Sequence, residues 1–227
     1  MSLFQAKCCT ISDSALCLLA PKGHVEYSGP SPPSAAAGTA LNIAVPKSGL
    51  SDFNFNGLVE ECVKPIFEAF QPDALVIQCG VDGLAGDPCK ESNISLRGYG
   101  RAVQSILSWC RISDSSMQFD QELPHGSAGE KAVPALLLGG GGYHSTNAAR
   151  AWAYFTSIAL GRPLDLDKDT LPDDCKYWEK FYNDNAAGEG LDIPAHVSRR
   201  DENEEEDIAR IIDRFTIYAR ALSVDKI

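Results

Sequence analysis

The chain lacks an excess of basic residues, any long apolar run and any C-x-x-C cysteine pair. With 31 acidic against 20 basic residues, its formal net charge is −11. Non-specific nucleic-acid binding needs a basic face, so direct contact with nucleic acid is not expected; a cationic partner such as a lysine-rich tail is compatible. No apolar run approaches the ~20 residues of a membrane span. The apolar stretch Ala15–Ala20 is too short for a secretory core, so neither a membrane nor an export route is expected. None of the eight cysteines forms a C-x-x-C pair, which disfavours a structural zinc knuckle. Several thiols fall on apolar faces and read as small hydrophobes in a reducing compartment, nucleus or cytoplasm. The Asn93-Ile94-Ser95 sequon then carries no meaning. No internal repeat occurs.

What is present suffices for one ordinary domain: 227 residues, of which 44% are hydrophobic. The acidic excess reads mainly as solubilising surface, part of it in the run Asp201–Asp207. Residues 1–40 read as an irregular segment, with Ser28–Gly38 rich in Pro, Ser, Ala and Gly. Leu41–Val45 predicts a strand ending at Pro46. Val59, Val63, Ile66, Phe67 and Phe70 share one face of a helix over Gly57–Phe70, against which Pro65 counts. Ala74–Cys79 predicts a strand buried on both faces, as in a parallel sheet. A helix follows over Arg97–Cys110, with Val103, Ile106, Leu107 and Cys110 inward. Residues 111–132 read as a surface insertion.

Pro134–Leu138 predicts a second buried strand. After it comes a helix over Ser145–Leu160 with Ala149, Trp152, Phe155, Ile158 and Ala159 as its apolar residues. A short helix is expected around Asp174–Tyr182. A final helix from Glu204 bears the stripe Ile208, Ile211, Ile212, Phe215, Ala219 and Leu222, with acidic residues at its N-terminus, where the helix dipole favours them. Strands alternating with helices predict an α/β layered sheet with right-handed crossovers. Ligands of such sheets sit beyond the carboxyl ends of the strands, which is where the loops after Cys79 and Leu138 begin.

Two loops could carry chemistry. In Gln78–Pro88, Asp82 and Asp87 stand among glycines that allow close backbone approach. Asp82 is able to ligate a metal; the same loop is equally a tight turn whose Asp side chains bond nearby N–H groups. Gly139–Gly142 followed by Tyr143 and His144 lacks G-K-[ST], and the dinucleotide pattern would need glycine at position 144. The glycines could form a smooth wall beside a slender substrate, with Tyr143 offering its O–H to a developing oxyanion. A plain turn carrying a half-buried tyrosine remains the other reading.

Taken together, C-G-x-D-x-L-x-G-D-P at Cys79–Pro88, L-G-G-G-G-Y at Leu138–Tyr143, A-R-x-W at Ala149–Trp152 and R-x-x-N at Arg200–Asn203 resemble the arginase/deacetylase fold as carried by class I histone deacetylases. The resemblance runs from about Leu41 to Leu222, leaving 223–227 as a tail, and its details look most like the type 8 branch and fungal relatives. It implies the C-terminal portion of that fold, a mostly parallel sheet flanked by helices. It also implies zinc-dependent hydrolysis of acetyl-lysine on histones or other proteins, and a corepressor complex as partner. Asp82 then resembles a ligand of the catalytic zinc, and Tyr143 the tyrosine that hydrogen-bonds the amide oxygen. Gly140 and Gly141 resemble tunnel walls, Cys89 a rim residue, and Asp87 a structural carboxylate.

The chain departs from that family as well. It contains no D-x-H and no His-His pair, from which the family draws its other two zinc ligands and its general base. The family's substrate-clamping aspartate is missing too. The four histidines, His24, His125, His144 and His196, are isolated, and residues 1–20 match nothing in the family. A catalytic zinc needs three protein ligands, and loss of the base costs roughly 10²–10⁴-fold. The expectation is therefore an incomplete, weakly stable domain inactive alone, arising through a misplaced start or splicing. Two alternatives stand beside it: a non-catalytic or dominant-negative interaction protein, and a deacetylase of small acetylated amines.

Overall fold

The computed structural model describes residues 3–7, 17–20, 40–90, 92–110, 132–184 and 189–224. Among these, five strands form one sheet in the order β3-β2-β1-β4-β5, built from β1 (Leu3–Lys7), β2 (Cys17–Ala20), β3 (Ala40–Asn42), β4 (Leu75–Gln78) and β5 (Ala135–Leu138). β4 runs parallel to β5, and β2 parallel to β3, while β1 is antiparallel to both its neighbours. The helices are α1 (Asp52–Leu58), α2 (Lys64–Phe70), α3 (Leu96–Cys110), α4 (Ser145–Ala159), α5 (Trp178–Asp184) and α6 (Glu205–Val224). The expected mixture of parallel strands and flanking helices is present. Two of the strands come from residues 1–40, which sequence alone reads as irregular. The expected loop Ser28–Gly38 and, apart from Ala132, the expected insertion 111–132 lie outside the described residues.

The pairing of β4 with β5 positions the two loops of interest. Leu75, Val76, Ile77 and Gln78 stand in register with Ala135, Leu136, Leu137 and Leu138. Because side chains alternate across a strand, Leu75, Ile77, Ala135 and Leu137 share one face. Leu75 and Ile77 are buried there with Leu58, Cys62, Ile66, Val103, Ile106 and Phe215 in a single core cluster. Full burial of each large aliphatic side chain contributes about 1.5–3 kcal/mol. The opposite face differs from expectation. Leu136 is 55% and Leu138 46% exposed, so β5 is a half-open edge strand rather than one buried on both faces. Among the described residues its strand partner is β4, and Leu136 and Leu138 face away from the core.

The predicted helix over Gly57–Phe70 begins earlier and is interrupted. Ser51 caps α1, its Oγ accepting the N–H of Asn54 at 3.4 Å. A π-helical turn, Val59–Val63, then separates α1 from α2, and Pro65 sits in the first turn of α2. Proline has no N–H to give to an α-helical ladder, and the wider turn before it absorbs the missing bond. Cys62 and Ile66 stay buried across the junction. α3 buries its predicted stripe, whereas in α6 Ile211 and Phe215 are buried together with Tyr218, and Ile208, Ile212, Ala219 and Leu222 are half-buried against the core. In α4 the buried face is Ala148, Ala151, Phe155 and Ile158, whereas Ala149, Trp152 and Ala159 are exposed.

The acidic run is partly structural. Asp201 Oδ2 accepts from Ser51 N at 2.9 Å, Ser51 Oγ at 2.8 Å and Asn54 Nδ2 at 2.8 Å. Its Oδ1 accepts from Asn203 Nδ2 at 2.7 Å. Asn203 Oδ1 in turn accepts the Lys47 N–H at 3.0 Å, and Lys47 Nζ bridges Glu204 at 2.7 Å and Asp207 at 3.0 Å. This latch ties the start of α6 to the segment between β3 and α1. Burial raises the Asp201 carboxyl, but hydrogen bonds from Asn203 and Ser51 outweigh it and leave it below the usual carboxylate range.

Candidate functional site

The loop after β4 and the glycine turn after β5 leave neighbouring parallel strands at the same end, and the sheet ladder continues into them. Cys79 N–H donates to Leu138 O at 2.7 Å, and Val81 N–H donates to Gly141 O at 2.7 Å. Asp82 therefore emerges beside Gly141. Its carboxylate is only 2% exposed. A methyl group on Gly141 would lie 2.8 Å from Asp82 Oδ2, and one on Gly140 would lie 2.8 Å from Gly80 Cα. Glycine at both positions is required by this close approach of the two loops, whatever else borders them. Gly142 adopts φ +138° against Val81, a conformation that side chains disfavour.

Asp87, 3% exposed, joins the loops a second time. Its Oδ2 accepts the backbone N–H of Tyr143 at 2.7 Å and that of His144 at 3.3 Å, while Oδ1 accepts the N–H of Cys89 at 2.9 Å. These bonds fix the backbone of Tyr143, whose side chain is 61% exposed. Cys89 is half-buried, and burial together with the neighbouring Asp87 carboxylate pushes its thiol up, which keeps it a neutral thiol at neutral pH. Burial pushes the Cys79 thiol up to about 12. Asp82, Asp87, Gly140, Gly141, Cys89 and the Tyr143 backbone are thus held within one pair of facing loops. His144 Nδ1 lies 3.0 Å from Thr146 Oγ1 at the start of α4, and His196 is exposed on a separate loop. His24 and His125 lie outside the described residues.

Two supports were not legible as site residues. Trp152 Nε1 donates to Cys79 O at 2.8 Å, so the indole closes over the end of β4. Tyr99 on α3 is completely buried. Burial first, then the nearby Asp82 carboxylate, raises its hydroxyl well above the ordinary tyrosine value, while a hydrogen bond from the Gly83 backbone acts the other way. Spacing alone gave no hint of either contact.

Among the described residues no group of three or more His, Cys, Asp or Glu could hold a metal ion. Asp82 supplies one carboxylate, and nothing described converges on it to complete a three-ligand site. The described residues therefore do not by themselves fit a catalytic zinc. Among the described residues no helix is long and apolar enough to cross a membrane.

Residues 21–159 match the histone deacetylase domain family. The chain is 37% identical over 138 residues to histone deacetylase 7 of Arabidopsis thaliana, covering 60% of this chain and 28% of that protein. It is 30% identical over 176 residues to histone deacetylase 8 of Xenopus laevis, covering 77% of this chain and 45% of that protein. With histone deacetylase 19 of Arabidopsis thaliana it shares 31% identity over 177 residues, covering 78% of this chain and 28% of that protein. The chain spans less than half the length of each of these relatives. The family match includes the Asp82 loop, the glycine turn and Tyr143, the same residues that the sheet brings together, and on that ground the chain belongs to the histone deacetylase domain family.

Proposed function

We propose that this chain carries the C-terminal part of a deacetylase pocket acting on acetyl-lysine amides in histones or other proteins, in a nuclear or cytoplasmic setting and within a corepressor complex. Within the family we place it nearest the type 8 class I branch, of fungal origin. The observation that supports the reading is the buried Asp82 carboxylate against Gly141, in the turn whose next residues lead to the exposed Tyr143. In the reading, Asp82 is one ligand of a catalytic zinc, Tyr143 donates its O–H to the amide oxygen, Gly140 and Gly141 wall the acyl-lysine channel, and Cys89 stands at its rim. With one carboxylate and no D-x-H or His-His in the sequence, no catalytic step is assigned to this chain alone. The test is the full transcript. In-frame coding for His-His and D-x-H, with turnover by that longer protein abolished by Asp82→Ala, supports the reading; a transcript without them sinks it.

A second reading, a non-catalytic interaction or dominant-negative protein, draws on the half-open β5 edge with Leu136 and Leu138 exposed. A stable complex purified without zinc favours it. Small acetylated amines are the alternative substrates for the enzyme reading, and competition by an acetylpolyamine against an acetyl-lysine peptide discriminates them.

A further inference from the structure

Asp82 stands in a loop with glycine at 80, 83 and 86, a composition that leaves a backbone free to wander. Yet its carboxylate is confined within van der Waals reach of Gly141. The loop's backbone bonds explain part of this. Leu84 N–H donates to Val81 O at 3.1 Å, Ala85 N–H to Ile94 O at 2.9 Å, and Ile94 N–H to Gly83 O at 3.2 Å. Val81 N–H, just before Asp82, donates to Gly141 O at 2.7 Å, and none of these four bonds acts on the loop from α3.

Tyr99 does. A methyl group on Gly83 would lie 2.5 Å from Tyr99 Oη, so the phenol oxygen fills the space where the residue after Asp82 would carry a side chain. The ring cannot retreat. Its centroid is 5.1 Å from that of Phe55 on α1 and 6.2 Å from that of Phe155 on α4, and the side chain is 0% exposed. A rigid aromatic held between two helices, with its one polar atom against a glycine, is a fixed strut.

We infer that Tyr99 is a positioning residue, whose phenol oxygen braces the Gly83 backbone and thereby fixes the Asp82 carboxylate against Gly141. Its importance for activity rests on the reading of Asp82 as a pocket carboxylate; the brace itself does not. Phenylalanine at 99 keeps the ring packing and removes only the oxygen, leaving a gap beneath Gly83.

Amide hydrogen exchange on the full chain tests this, with Tyr99→Phe, Gly83→Ala and the double variant compared with the parent. Tyr99→Phe is expected to lower protection about tenfold at Gly83 and Leu84 while leaving α6 and the urea midpoint nearly unchanged. Gly83→Ala is expected to loosen the loop and lower the urea midpoint, and Tyr99→Phe to restore part of that loss by vacating the space. Unchanged loop protection in Tyr99→Phe overturns the brace. So does a uniform loss across the chain, which would make Tyr99 ordinary core, or the absence of any rescue in the double variant. A failed brace leaves the role of Asp82 standing, whereas an intact brace with Asp82→Ala harmless in the longer protein sinks the deacetylase reading alone.

Discussion

Asp87 Oδ2 accepts the backbone N–H of Tyr143 at 2.7 Å, across 56 residues of sequence. Through this bond the loop after β4 dictates where the turn after β5 can go. Asp87→Ala removes the acceptor of the part-buried N–H groups of Tyr143 and Cys89. The expected cost is about 1–3 kcal/mol, the range for a donor left unsatisfied on burial. Urea unfolding measures it, and Asp87→Asn, which keeps one acceptor, is expected to lose less.

Gly141→Ala directs a methyl group at Asp82 Oδ2, 2.8 Å away. Overpacking of this kind costs about 1–3 kcal/mol. The penalty is expected to shrink in an Asp82→Ala background, where the clashing oxygen is gone, and a double-mutant cycle reads that coupling directly. Equal penalties in both backgrounds would show that the contact is not what excludes alanine.

These two contacts also show what sequence could and could not carry. Leu75–Gln78, Leu96–Cys110 and the Ile208–Leu222 stripe are legible because a strand run or a 3.6-residue period repeats over many positions. The Asp82 and Tyr143 loops are legible as chemistry because glycine, aspartate and tyrosine follow strands at fixed offsets. The exposure of Leu136 and Leu138 is not, since apolar composition alone does not say whether a strand sits inside a sheet or at its edge. Nor is Tyr99, which touches Gly83 only through the α3 packing geometry. Asp201 reads as part of a solvated charge run until folding brings Ser51, 150 residues away, to its carboxylate.

That carboxylate gives the latch a pH dependence. The folded-state value of Asp201 lies below 3.8, its ordinary value. Its contribution is therefore complete above about pH 4, shrinks as the pH falls below 3.8, and is lost once the pH drops under the folded value. Asp201→Asn is expected to flatten the acid limb of stability against pH in that window, as followed by circular dichroism. An acid limb identical to the parent's would contradict the latch.

The β5 edge predicts self-association. Leu136→Lys places a charge on the exposed face of an edge strand, which natural sheets use to block edge pairing. Sedimentation velocity is expected to show less concentration-dependent assembly than for the parent chain, with the fold retained because Leu136 is already 55% exposed.

Under the proposed function, Asp82 and Tyr143 belong to one side of a metal-centred hydrolytic pocket, and no D-x-H or His-His pair in the sequence supplies the other. The most direct test is turnover of a fluorogenic acetyl-lysine substrate by the purified chain with added zinc, beside its Asp82→Ala variant. The account predicts no turnover above background for either protein; turnover by the parent chain that Asp82→Ala abolishes would contradict it.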